Sequence, residues 1–207
     1  MKYFVFLLLI LFSCSDQKRC EEIKELYSDE KVKLVHKYPN CNDKDTYIRI
    51  HYYPNGQKSS YGKFINNLKE GEFKTWYENG QLSAVWETKN GRSHGRVACY
   101  HEDGNLEREA MIEGEKGYFK FYSEDGELKL EGVLLNDSIK SGIWIEYYEN
   151  GNPEYKWQYK NGLLEGRCST YYKNNRLESI LVYSDNSLKD TIVIYDSLGN
   201  ELYAKND

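Results

Sequence analysis

Histidine, cysteine and acidic residues are the side chains of this sequence that could carry acid–base, nucleophilic or metal chemistry. The four histidines are His36, His51, His94 and His101, and no HExxH, GxSxG or phosphate-cradling glycine loop accompanies them. The stretch from Asp43 to Asp45 begins like a calcium loop but lacks the glycine and the final glutamate. The sequence therefore predicts a protein that is not an enzyme and has no metal or cofactor. Paired carboxylates of the glycosidase kind stay open, with no motif in their favour.

The composition is that of a folded, acidic and unusually aromatic chain. Of its 207 residues 40% are hydrophobic and 15% aromatic, with Tyr 20, Phe 7 and Trp 4. Lys+Arg number 28 against 33 for Asp+Glu, which gives a formal net charge of -5. A protein that binds a nucleic-acid backbone needs a basic face, so we expect no nucleic-acid partner.

Most of the chain repeats one unit of about 24 residues. A turn glycine recurs, mostly after Asn or Asp, at Gly56, Gly80, Gly104, Gly126, Gly151 and Gly199, with Asn175 on the same beat. The steps are 24, 24, 22, 25, 24 and 24 residues. Nine residues before each turn stands a marker: Tyr47, Gly71, Gly95, Gly117, Gly142, Gly166 and Asp190. Between marker and turn an aromatic is always present: Tyr52, Trp76, Tyr100, Tyr122, Tyr147, Tyr171 and Tyr195.

Each unit has the pattern of a β-hairpin. Asn-Gly and Asp-Gly supply the positive φ that tight hairpin turns require, and no apolar stripe of helical period runs beyond two turns. The sequence predicts an all-β fold, an elongated and twisted antiparallel sheet of about seven consecutive hairpins over residues 43–207. Because side chains alternate between faces, the seven fixed aromatics lie opposite the row that begins at Phe73. We expect them to form a cross-strand ladder with a structural role.

Two tryptophans stand at a place where other units differ. Trp86 and Trp157 lie six residues past their turn glycine, where the other units have Gly62, Ala110, Gly132 and Leu181. A position that the repeat does not fix can carry specificity, so both are candidate binding residues. The alternative is that they fill gaps beside small neighbours.

The 24-residue rhythm resembles the MORN-type repeat in its bacterial, YwqK-like variant. The segments Trp76–Leu82, Tyr147–Asn152 and Tyr171–Leu177 carry the resemblance, which extends over about four fifths of the chain. It implies a β-hairpin array and says little about function. Some bacterial relatives are described as antitoxins, a role that fits poorly with an exported chain.

The N-terminus reads as an export signal. Lys2 precedes an apolar run from Tyr3 to Phe12, which is too short to span a membrane. The end of that run, Leu11-Phe12-Ser13-Cys14, resembles the lipobox of bacterial lipoproteins, which implies removal of residues 1–13 and lipidation of Cys14. An ordinary secretory signal and a transmembrane anchor are the alternatives. Ser15-Asp16 resembles the surface-export signal of Bacteroidetes lipoproteins, but basic residues interrupt it, so the periplasmic face of the outer membrane and the cell surface both stay open.

Residues 14–42 are charged and contain no glycine. We interpret them as a tether between membrane and repeats, with a possible short helix around Ile23 to Val35. Cys20 and Cys41 flank this segment and either pair or stay free thiols. Cys99 and Cys168 lie about 29 Å apart on one face, too far for a disulfide, and are expected to be small buried residues.

Together these features predict a lipid-anchored lipoprotein of the cell envelope, held to the membrane by Cys14, whose repeats bind a protein or a glycan. A structural spacer without a ligand, self-associating through its sheet edges, is the alternative, as is an antitoxin-like protein-binding role.

Overall fold

The computed structural model describes residues 20–205, and this part of the chain is all β. Signal peptide 1–13 and Cys14 lie outside the described residues. The strands are β1 Cys20–Leu26, β2 Val32–Tyr38, β3 Thr46–Tyr52, β4 Lys58–Ile65, β5 Leu68–Trp76, β6 Leu82–Lys89, β7 Arg92–Tyr100, β8 Leu106–Glu113, β9 Lys116–Tyr122, β10 Leu128–Leu135, β11 Ile139–Tyr147, β12 Pro153–Lys160, β13 Leu163–Leu164, β14 Gly166–Tyr171, β15 Leu177–Ser184, β16 Ser187–Tyr195 and β17 Glu201–Ala204. Within the same residues no helix is long and apolar enough to span a membrane.

The strands form one antiparallel sheet in which chain order is spatial order. Each strand pairs with the next one along the chain, from β1 with β2 to β16 with β17. β12 pairs with both β13 and β14, which follow one another on the same side of it. The predicted sheet of consecutive hairpins is confirmed.

Five-residue turns close the hairpins along one edge of the sheet. In the first of the predicted turns the Tyr53 N–H donates to Gln57 O at 2.8 Å, and the Gly56 N–H donates to Tyr53 O at 2.9 Å. Gly56 has φ +86°, and the other predicted turn glycines and Asn175 also lie at positive φ. The glycine pattern therefore predicted the turn geometry correctly, because this position requires the left-handed region.

A tyrosine joins each of several units to the next. It follows the fixed aromatic directly, and its hydroxyl donates to the backbone carbonyl of the next unit's fixed aromatic. The pairs are Tyr53 to Trp76 at 2.8 Å, Tyr77 to Tyr100 at 2.7 Å, Tyr148 to Tyr171 at 2.9 Å and Tyr172 to Tyr195 at 2.8 Å. We call these bonds tyrosine staples. They satisfy backbone acceptors at the turn edge and tie each unit to its neighbour.

The N-terminal prediction of a tether with a short helix is wrong for residues 20–38, which form a hairpin. Tyr27 and Lys31 close it with the same turn as the repeats, and the Tyr27 hydroxyl staples to Tyr52 O at 2.7 Å. An eighth unit therefore precedes the seven. Its turn has Glu30 at φ +64° in place of glycine, which hid it from the sequence pattern.

A disulfide closes this first unit. Cys20 pairs with Cys41, with their Cα atoms 5.1 Å apart, which settles the alternative that the sequence left open. Cys99 and Cys168 are free and buried, as predicted.

The core lies mainly on one side of the sheet, which we call the aromatic face. It carries Phe73 and every residue in register with it across the strands, including Trp86, Val97, Ala110 and Phe119. Along this row large side chains stand beside small ones: Trp86 is opposite Val97, and Phe119 is opposite Ala110. The rings of Phe73 and Trp144 lie over Gly62 and Gly132, so a Cβ on either glycine would overlap a ring.

The seven fixed aromatics lie on the other side, the opposite face, as their parity predicted. All seven are half-buried. The predicted ladder of these rings is wrong, because no ring–ring contact within residues 20–205 joins two of them. Ring stacking lies instead on the aromatic face, for example between Tyr47 and Phe64 at 5.2 Å and between Phe73 and Trp86 at 5.7 Å.

Candidate functional site

The unit around β9 is the irregular one in the array. Its step of 22 residues between Gly104 and Gly126 is the shortest, and β9 has 7 residues where β5, β7, β11 and β16 have 9. The marker glycines Gly71, Gly95 and Gly142 have φ of +81°, +70° and +67° and interrupt the register of their strands. Gly117 has no positive φ, and β8 and β9 pair without interruption from Glu113–Lys116 to Arg108–Phe121. β9 therefore lacks the bulge that bends the other strands.

A groove of about 600 Å³ runs over this regular strand on the opposite face. Its apolar part is made by side chains of β8 to β11, namely Met111, Tyr118, Val133, Ile143 and Ile145. Three of them are strongly exposed: Met111 by 45%, Tyr118 by 50% and Ile143 by 60%. We attribute the groove to the missing bulge, because a strand that is not bent leaves neighbouring side chains spread in a shallow row.

Charged residues line one side of the groove in alternating sign. Glu109, Lys120 and Glu131 stand opposite one another on β8, β9 and β10. The Tyr122 hydroxyl donates to Glu109 Oε1 at 2.8 Å, and the Tyr147 hydroxyl donates to Glu131 Oε1 at 2.6 Å. Two fixed aromatics thus hold both carboxylates in place.

The same contacts affect the titration of the tyrosines. Burial, followed by the hydrogen bond to Glu109, raises the pKa of Tyr122 to about 12. Burial, followed by the hydrogen bond to Glu131, raises the pKa of Tyr147 to about 12. Both hydroxyls therefore stay protonated donors at physiological pH.

Lys120 is the exposed cation of the groove. It lies between the two carboxylates, but within residues 20–205 it forms no ion pair, whereas Arg96 at the end of the groove lies 3.8 Å from Glu109. The groove therefore combines an apolar floor with an ammonium group open to solvent. This combination suits a ligand with an apolar part and a carboxylate.

Two tyrosine staples are missing beside the groove. His101 and Ser123 occupy the positions that hold a stapling tyrosine in the neighbouring units. The His101 Nε2 is buried without a hydrogen-bond partner in the described part of the chain. A buried polar atom without a partner destabilises the fold, so the groove lies at the joint that is tied least firmly.

The predicted binding residues Trp86 and Trp157 lie elsewhere. Both are half-buried on the aromatic face, on β6 and β12, about 29 Å apart at the usual strand spacing. Trp86 stacks on Phe73, and Trp157 stacks on Tyr155 with ring centroids 4.9 Å apart. The structure therefore brings neither to the groove nor to the other.

The groove residues were missed at the level of sequence. Met111, Tyr118 and Ile143 carry no motif. The available signals were the shortened step of 22 residues and the loss of two successive stapling tyrosines.

The arrangement supports binding by contact. Among the described residues no group of three His, Cys, Asp or Glu side chains is placed to hold a metal ion. Of the possible acid–base pairs, Glu109 and Glu131 are separated by Lys120, and each accepts a tyrosine hydroxyl.

Comparison with known proteins identifies the repeat. Residues 69–90 and 140–161 match the MORN repeat variant, and these segments cover the hairpins β5–β6 and β11–β12. No curated protein matches the chain. The resemblance of the unit to this repeat type is thereby confirmed, and repeats of this type generally serve as interaction modules.

Proposed function

We propose that this MORN-type repeat protein is a non-catalytic interaction module of the cell envelope that holds a protein partner in the groove over β9. The observation that carries the proposal is the exposure of Met111, Tyr118 and Ile143 side by side at the one irregular unit. Contiguous exposed apolar side chains mark interaction sites on soluble surfaces.

The groove suits a protein better than a glycan. Tyrosine, methionine and arginine are enriched at the centres of protein interfaces, and all three are present here. Glycan binding through Trp86 or Trp157 has less support, because Phe73 and Tyr155 already occupy one face of each indole. The partner segment would place an apolar side chain beside Tyr118 and a carboxylate at Lys120.

The envelope location rests on two features of the N-terminus. One is the lipobox-like run that ends at Cys14, and the other is the Cys20–Cys41 disulfide, since disulfides persist in exported proteins. Only five residues lie between Cys14 and Cys20, so lipidation would hold the first hairpin close to the outer membrane. Mass spectrometry of the mature N-terminus tests the anchor, and protease accessibility on intact cells distinguishes the surface from the periplasmic face.

The binding proposal is tested with a photo-crosslinking amino acid at Ile143 in the full-length protein in its own envelope. The matched control is the same substitution at Leu68, which is 51% exposed and lies outside the groove. We expect a discrete protein product from position 143 alone, reduced by Lys120→Glu. Equal labelling from both positions, or no product from either, would overturn the groove and favour the spacer.

A further inference from the structure

The last unit of the array is incomplete. The return strands β4, β6, β8, β10, β12 and β15 have 8 residues each, whereas β17 has 4. β17 pairs only with Val193 to Tyr195 of β16. Beyond it a recess of about 490 Å³ lies along the uncovered part of β16, lined by Leu188, Lys189, Asp190, Thr191, Ile194 and Tyr203.

Large apolar side chains are exposed at this end of the sheet. Leu202 is 67% exposed, Leu188 54% and Tyr203 44%. The strand at the other end differs, because β1 presents Glu22, Lys24 and Glu25, all in ion pairs. Charged side chains protect a sheet edge from pairing with other strands, and an apolar edge has no such protection.

The backbone of β17 has an outward register. Lys205 donates its N–H to Ile192 O, so the polar backbone groups of residues 201, 203 and 205 point toward β16. Alternation leaves the N–H and C=O groups of Leu202 and Ala204 pointing away from the sheet. Within the described residues no strand accepts them.

We propose that this edge pairs with the same edge of a second copy of the chain, antiparallel and centred on Tyr203. In this register Leu202 of one copy and Ala204 of the other exchange both backbone hydrogen bonds, which gives four bonds across the two-fold axis. Glu201 of each copy then faces Lys205 of the other. The neighbouring two-fold registers centred on Leu202 or Ala204 do not place these opposite charges together.

The charge pattern makes the edge self-complementary. Glu201, Tyr203 and Lys205 share one side of the strand because side chains alternate. In the single copy Lys205 forms an ion pair with Asp190. Pairing would place this ammonium between two carboxylates, one from each copy. The proposal does not depend on the groove over β9, since the two surfaces share no residue.

Cysteine cross-linking in the membrane tests the register with the full-length chain. Tyr203→Cys places two thiols at the centre, where facing Cα atoms lie about 4.5 Å apart, so mild oxidation gives a covalent dimer. Leu198→Cys is the control, because this turn residue is 73% exposed and lies outside the paired strand. Equal cross-linking of both variants reports random collision and overturns the proposal.

Charge exchange tests the pairing of Glu201 with Lys205. All variants carry Tyr203→Cys and also Asp190→Asn, which removes the intrachain partner of Lys205. Glu201→Lys alone or Lys205→Glu alone lowers the dimer fraction about fivefold, since two attractive pairs become repulsive. Expressing the two single variants together restores the dimer, because each unlike pair is again complementary. Failure of that mixture to recover overturns the register.

Discussion

The alternation of large and small side chains on the aromatic face can be tested at Gly132. The ring of the next strand, Trp144, lies over this glycine, so a Cβ would sit 2.6 Å from Trp144 Cγ. Ordinary contact begins at about 3.4 Å. Gly132→Ala therefore requires the indole to move by roughly 0.8 Å, the difference between the two distances.

The indole has little freedom to move. Trp144 is 1% exposed, and its Nε1–H donates to Val133 O at 3.0 Å. Overpacking of this kind destabilises by about 1–3 kcal/mol, and the tight fixation of the ring places this case near the upper end. Alanine recovers about 0.5–1 kcal/mol of backbone entropy. We expect a net loss of about 2 kcal/mol in the free energy of unfolding.

A double-mutant cycle isolates the steric effect. Gly132→Ala combined with Trp144→Phe reproduces the natural pair of Ala110 with Phe119 found on β8 and β9. The cycle is measured by urea denaturation followed by circular dichroism. The double variant should be less destabilised than the sum of the singles by about 1 kcal/mol or more. Additive effects within about 0.5 kcal/mol, or a harmless Gly132→Ala, would refute the reasoning.

Three further predictions concern the staples, the tyrosine pKa values and the disulfide. His101→Tyr should raise the free energy of unfolding by about 1 kcal/mol by restoring a staple, and Tyr148→Phe should lower it by a similar amount; both are read by urea denaturation. Tyr122 and Tyr147 have a raised pKa of about 12 in the folded state against 10.0 in the unfolded chain. Their contribution is therefore complete below pH 10 and lost as the pH rises toward 12. After discounting for solvent screening the loss is about 1 kcal/mol, and the pH dependence of stability should flatten in the Tyr122→Phe/Tyr147→Phe variant. Replacing Cys20 and Cys41 with Ser should lower stability by about 3 kcal/mol, and thermal melts in which the variant matches the wild type would contradict this.

The regular part of the fold could be predicted because one residue type at one position fixes it. The turn glycines and Asn175 adopt the positive φ that their spacing required. The parity of the strands placed Phe73 and Tyr52 on opposite faces correctly. These features are local, since a turn or an alternation is determined within a few residues.

The features that failed depend on neighbours distant in sequence. The first hairpin was hidden because Glu30 occupies a position where the pattern expects glycine. Trp86 and Trp157 stood out as variable residues, yet Trp86 faces the small Val97 across the strands. Reading that compensation requires the cross-strand register, and the register of a bulged strand is not visible in its own sequence.

The groove shows why departures from a repeat deserve more weight than its constant residues. A constant residue such as Tyr77 serves the contact between two units, and its hydroxyl is already used by Tyr100 O. Around β9 the bulge and two staples are absent together, and the side chains that a regular unit would cover are exposed. Because each unit contacts mainly its neighbours, such a change is tolerated locally and does not spread along the array. A repeat protein can therefore acquire a binding surface by shortening one unit, at a stability loss confined to that joint.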